Sequence, residues 1–219
     1  LDAITGISLG LLVHIAFSRD PRREQRKAAD KFFTELKGAL TKLSEAARKG
    51  DSRLATKVLT QIRTTSQRYT DAWALANETA NELTSYSPTL HRHYEHVSRV
   101  QHLLVGSDRA MRNARVIARR EGEFLRVTQP HTFPNLAEAL TAAVDAVDEI
   151  QAGVDSEADF TIARRKLRIF CAHLTPETLL ATAEGTVGRL GHFEGVSLVI
   201  QMRALAVDLL EATGLPSPD

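Results

Sequence analysis

An all-α fold, a bundle of long antiparallel helices, is what this sequence predicts, and three observations predict it. Ala, Leu, Arg, Glu and Thr are abundant while Gly, Pro and aromatic residues are sparse, which is the composition of good helix formers. Apolar residues recur at three- and four-residue steps over long stretches. No alternating apolar run leads into an Asn-Gly or Asp-Gly hairpin turn, so nothing argues for a sheet.

The elements follow in order. Residues 1–17, LDAITGISLGLLVHIAF, are apolar apart from Asp2, Thr5, Ser8 and His14. A full membrane span needs about 20 apolar residues, so this stretch reads as the end of a transmembrane helix. A secretory signal is a poor reading: no basic residue precedes the run, and Arg19 and Pro21 follow it in place of a small-residue cleavage site. The chain opens on Leu1, not Met, and reads as a piece or product of a longer protein. Ser18-Arg19-Asp20-Pro21 then restarts the helix, with Asp20 as N-cap and Pro21 at the first helical position, where its missing N–H costs nothing. The next helix reaches about Lys49. Ala29, Phe32, Phe33, Leu36, Leu40, Leu43 and Ala47 form its inner side, and Gly50 ends it.

Asp51 caps a third helix that extends to Tyr86, with a seam of Leu54, Val58, Ile62, Tyr69, Trp73, Ala76 and Leu83. Ile62, Tyr69, Ala76 and Leu83 fall seven apart, as in a coiled coil. Ser87-Pro88 punctuates. A fourth helix is expected from Thr89 to Glu121, with Leu90, Val97, Leu104 and Met111 seven apart and Val100 and Ile117 beside them. TQPHTFPN, residues 128–135, is the clearest linker. Beyond it come a helix from Pro134 to Gln151 stopped by Gly153, a helix capped by Ser156 that buries Phe160, Ala163, Leu167, Phe170 and Leu174, and a last helical region from Thr175-Pro176-Glu177 to Thr213. The organisation is thus 1–17 as the membrane end, 18–127 as a long-helix bundle, and 128–219 as further helices packed on it.

The charges exclude some functions. Lys and Arg number 28 and Asp and Glu 27, so no global field points to nucleic acid, and any electrostatic message is local. One cysteine, Cys171, permits no internal disulfide and fits a reducing compartment. Beside Phe170 it reads as a small packed apolar residue. No Gly-x-Ser-x-Gly elbow is present, and no catalytic residue is assigned.

Three stretches carry polar patterns. HRHYEHVSRVQH, residues 91–102, holds the densest set of metal-ligand types. On a continuous α-helix, His91, Glu95 and His102 fall within about 40° of one another, and imidazole with carboxylate can hold zinc or iron. A bundle metal site needs ligands from facing helices, and no second Glu-x-x-His exists. A polar helix face with His93 near the core edge is the preferred reading, with no metal or cofactor assigned. SDRAMRNARVIARR, residues 107–120, places Arg112, Arg115 and Arg119 on one face. It lacks the interleaved aromatics that stack bases. Ion pairing is expected instead, Asp108 with Arg112, and the stripe with Glu138, Asp145, Asp148 and Glu149 of helix 134–151. EGTVGRLGHFEG, residues 184–195, is no P-loop, since no Gly-Lys-Ser/Thr follows. Its Gly188, Gly191 and Gly195 either admit a close helix neighbour or break the helix.

LLVHIAFSRDPRREQRK, residues 11–27, brings Arg19, Arg22, Arg23, Arg26 and Lys27 just past the apolar run. Positive charge beside a span marks the cytoplasmic side and touches anionic headgroups. A soluble bundle with a buried first helix accounts for the same residues. The order of features, from Leu11 to Arg23, through a long Ala/Leu/Glu/Lys helix pair, to Met111–Arg120 (MRNARVIARR), resembles the bacterial fusaric-acid-resistance and aromatic-acid-exporter superfamily of membrane proteins. The likeness extends over residues 7–125 and carries no binding residue onto this chain. It implies a helical cytoplasmic domain of a bacterial inner-membrane efflux transporter, with an assembly or regulatory role and no catalysis. Its implied partners are the remainder of its own membrane domain, anionic lipid near residues 19–27 and other copies of the chain, not nucleic acid. The alternative is a self-contained cytosolic helical scaffold or regulator with helix 1–17 buried.

Overall fold

A computed structural model of the chain describes residues 20–155, 160–182 and 187–214. Every regular element among them is helical: α1 Pro21–Lys49, α2 Ser52–Tyr86, a 3₁₀ turn His91–His93, α3 Tyr94–Val127, α4 Pro134–Asp155, α5 Thr161–Ala172, α6 Pro176–Leu179 and α7 Arg189–Ala212. None of the described helices is long and apolar enough to cross a membrane. Residues 1–17, Arg19, the Ser156 cap and Gly185 lie outside the described residues.

The first boundaries follow from local chemistry. Asp20 accepts the Arg22 N–H at 3.0 Å, and Asp51 accepts those of Arg53 and Leu54, each satisfying helix-start donors that have no partner within the helix. Between the two helices, Gly50 takes φ 65°. Here glycine is needed twice over, since a Cβ would also lie 2.7 Å from the carbonyl oxygen of His131. The whole expected inner side of α1 is buried, from Ala29 to Ala47.

In α2 the expected heptad fails. Trp73, Ile62 and Val58 are buried, but Leu83 is 40% exposed and Tyr69 and Ala76 are only half-buried. The true inner row includes Ile62, Trp73 and Thr84, eleven apart, and Ala55, Ser66 and Asn77, also eleven apart. An eleven-residue spacing, about 3.67 residues per turn, follows a nearly straight helix, whereas a heptad row drifts about 20° per repeat. In α3 the same spacing buries Val100, Met111 and Gly122, and Leu104 is left on the flank.

Other boundaries also moved. Ser87 is extended at φ −99°, ψ 114° ahead of Pro88, as a residue before proline prefers. The expected helix from Thr89 therefore begins as a 3₁₀ turn, and α3 starts only at Tyr94. At its other end α3 runs past Glu121 to Val127 because Phe124 and Leu125 turn inward. Gly153 does not stop α4: Phe160 packs against it and Val154 is buried. The start of α5 is at Phe160, without a side-chain cap. The expected last helical region is two elements, α6 and α7, with Gly188 as the N-cap of α7. Gly191 and Gly195 are buried in α7, facing Thr128 and Leu180. Cys171 is exposed, not packed; Phe170 takes the inner side, and one helical step of about 100° turns its neighbour out.

The helices close into a ring, α2–α1–α4–α5–α7–α3, with α1 also touching α3 across it. Phe32, Phe33 and Trp73 join α1 to α2 with ring centroids 5.2–5.5 Å apart, and Phe124 meets Phe133 at 4.4 Å below the linker. α3 and α7 approach closely at Gly106, where a Cβ would meet Ala212 at 2.6 Å. Buried apolar area of this extent, at about 25 cal/mol per Å², is the main term holding the ring together.

Candidate functional site: the basic end of the bundle

Two sequence stretches about seventy residues apart meet at one end of the ring. Asp20 anchors the first. Its carboxylate accepts from Arg22 Nε at 3.1 Å and Nη2 at 2.9 Å, so Arg22 is folded back over the cap. That hydrogen bond holds the Asp20 carboxyl below its ordinary value. One turn on, Gln25 is buried and donates to Asn77 of α2 at 2.7 Å and to the carbonyl of Val97 at 3.2 Å. This single side chain ties α1, α2 and the first turns of α3 into one surface.

The second stretch supplies the rest. Arg92 sits in the 3₁₀ turn, and His96 and Arg99 stand three residues apart on one face of α3 just beyond it. They line a cavity of about 340 Å³ together with Glu95. Arg99 reaches His96 Nδ1 at 3.4 Å and the carbonyl of Gly153 at 3.5 Å, and its guanidinium lies 5.5 Å from the Phe160 ring centroid. His96 is half-buried, and its imidazole is pushed below the ordinary value of 6.5 by burial first, then by Arg99, Arg22 and Arg26, with Asp20 opposing. The field at His96 is thus the summed field of cations from two helices.

Of the expected collar, Arg22 and Arg26 face this cluster, while Lys27 lies on the opposite flank of α1, toward α2; Arg23 is exposed. The histidine set is not gathered. His91 lies in the 3₁₀ turn, with Nδ1 3.3 Å from the Thr84 carbonyl and its ring stacked on Tyr94, so the 100° step that aligned it with Glu95 and His102 does not apply. His102 Nδ1 lies 2.8 Å from the Ser98 carbonyl. Among the described residues no three His, Cys, Asp or Glu side chains are placed to hold a metal ion. His93 is half-buried, as expected of a residue near the core edge, and accepts from Arg92 Nε at 3.1 Å, while His96 takes the field of Arg99, Arg22 and Arg26.

The arginine stripe pairs differently from expectation. Asp108 does hold Arg112. The acids of α4 instead meet lysines, Asp148 with Lys37 and Glu149 with Lys166 at 2.7 Å, because α4 packs on α1 and α5. Arg109 and Arg120 pair with Glu211 and Glu194 of α7. Sequence reading missed Arg92, His96 and Arg99 as partners of the collar. Their four- and three-residue steps were a visible signal, but nothing local shows which helix they face. Comparison with known protein families, with curated proteins and with solved structures found no match for this chain.

Proposed function

We propose that this chain is the helical cytoplasmic domain of a bacterial inner-membrane transporter resembling the aromatic-acid exporters, that it serves assembly or regulation without catalysis, and that its basic end rests on anionic lipid headgroups. The observation that carries the reading is the convergence of Arg22, Arg26, Arg92, His96 and Arg99 at the end where the apolar stretch 1–17 joins α1. Guanidinium forks suit phosphate oxygens, and each cation near an anionic surface contributes about 1 kcal/mol.

The test is flotation of the chain with vesicles of phosphatidylglycerol or of phosphatidylcholine. Arg26→Ala with Arg92→Ala, both exposed, removes two cations and weakens binding to phosphatidylglycerol roughly thirtyfold, about 2 kcal/mol. With residues 1–19 removed, the remaining binding is reversed by salt. Equal binding to both lipids sinks the reading. The second reading, a self-contained scaffold with helix 1–17 buried, draws on an apolar groove between α1 and α2 that opens beside Asp20. It requires that removing residues 1–19 abolish cooperative unfolding.

A further inference from the structure

The groove between α1 and α2 has a volume of about 490 Å³. On the α2 side it is apolar and open: Leu75 is 65% exposed and Leu83 40%. On the α1 side it is edged by Asp20, Glu24, Lys27 and Lys31, which fall on one helical stripe at steps of four, three and four residues. The charges along this stripe read minus, minus, plus, plus. Glu24, Lys27 and Lys31 form no ion pair with another described residue. Elsewhere in the bundle, i,i+4 and interhelical pairs are common.

That order is its own complement when reversed. We infer that the groove is the interface of a twofold dimer of this chain, with α1 antiparallel to the partner's α1, Glu24 opposite Lys27 of the second copy, and Lys31 joining the Asp20 carboxylate that Arg22 of its own helix already holds. A twofold axis perpendicular to α1 sets minus, minus, plus, plus against plus, plus, minus, minus. An axis parallel to α1 does not pair these charges. Such an isologous contact presents the same patch from both subunits.

The α2 side agrees independently. The Gln25–Asn77 hydrogen bond puts the midpoint of the charged stripe level with the middle of the groove on α2. The same axis then sets Ala76 against Thr79 and Ala72 against Leu83 of the second copy, small residues against small and small against large, which lets the two α2 helices interlock. Ion pairs on the rim of an apolar contact fix its register. Arg26 starts from the other side of α1, about 200° round the helix from Glu24, and Arg22 folds back from that side onto Asp20. The dimer therefore leaves the basic end uncovered, and it does not rest on the membrane reading.

The experiment is sedimentation velocity on the full chain in nonionic detergent, with single and paired charge reversals. The chain dimerises. Glu24→Lys alone and Lys27→Glu alone each weaken the dimer about tenfold or more, because symmetry repeats each repulsion at both ends. The paired variant Glu24→Lys/Lys27→Glu returns the affinity to within about threefold of the parent, since the reversed stripe is again self-complementary. Leu75→Asp abolishes the dimer, and unchanged thermal midpoints show that the variants fold. A monomer up to about 0.1 mM, single reversals without effect, or a paired variant no better than the singles overturns the inference. So does a chain that dimerises only after removal of residues 1–19, which assigns the groove to the chain's own apolar stretch.

Discussion

Where α1 turns into α2, the bundle is closed by apolar packing and backbone geometry. Phe133 is buried against Phe124, its N–H donates to the Ala47 carbonyl at 3.0 Å, and the His131 carbonyl fills the space that Gly50 leaves. Where α2 passes to α3, Arg92, Glu95, His96 and Arg99 line a cavity, Arg22 and Arg26 act on His96 from α1, and one buried amide pair holds the helices together. At the first end Phe124 and Phe133 are fully buried, while a cavity of about 750 Å³ lined by Arg53, Lys57, Arg119 and Arg126 opens beside them. At the second, burial and neighbouring cations depress the imidazole of His96. The aromatic closure and the His96 cluster thus sit at opposite ends of the same long helices, and the proposed lipid contact assigns binding to the second.

Substitutions sharpen this contrast in order of size. Phe133→Ala removes a fully buried ring and costs about 3–5 kcal/mol in chemical denaturation, without weakening vesicle binding by the folded fraction. Gly50→Ala costs more than about 1 kcal/mol, from positive φ and from contact with the His131 carbonyl. At the basic end, Arg26→Ala costs less stability than Gly50→Ala yet lowers phosphatidylglycerol binding roughly fivefold. A loss of stability at Arg26 as large as at Gly50 would break the comparison.

The pH dependence has opposite signs at buried Glu121 and half-buried His96. Glu121 is fully buried with no partner for either carboxyl oxygen among the described residues, and burial raises it well above 4.5. Its contribution is present below the unfolded value and lost as pH rises toward the folded one. Glu121→Leu therefore raises stability at neutral pH by about 1–3 kcal/mol and flattens that decline. His96 is depressed, so its contribution is present above 6.5 and lost as pH falls through its folded value. His96→Gln removes that acid-side loss. Urea titrations from pH 4 to pH 8 separate the two slopes.

Much of the closed end was legible because its signals are local. Asp20, Pro21, Gly50 and Asp51 mark helix ends through their own backbone chemistry, and every apolar residue expected inside α1 is inside. The α2 seam misled because heptad and eleven-residue rows coincide for one repeat and part company over three, which is why Leu83 was placed inward and lies out. The basic site was half legible. The collar shows as a charge run, but its meeting with Arg92, His96 and Arg99 depends on how α1 and α3 cross, which Gln25 fixes from within the core. His91 was misjudged because a proline set the preceding residue extended and replaced a helical turn with a 3₁₀ one.

Hydrogen exchange of the chain with and without phosphatidylglycerol vesicles tests the assignment of binding to the His96 end most directly. Slowed exchange is expected in residues 20–26 and 87–99, with residues 47–53 and 128–135 unchanged. Protection at the Gly50–Phe133 end, or none at the His96 end, would contradict it.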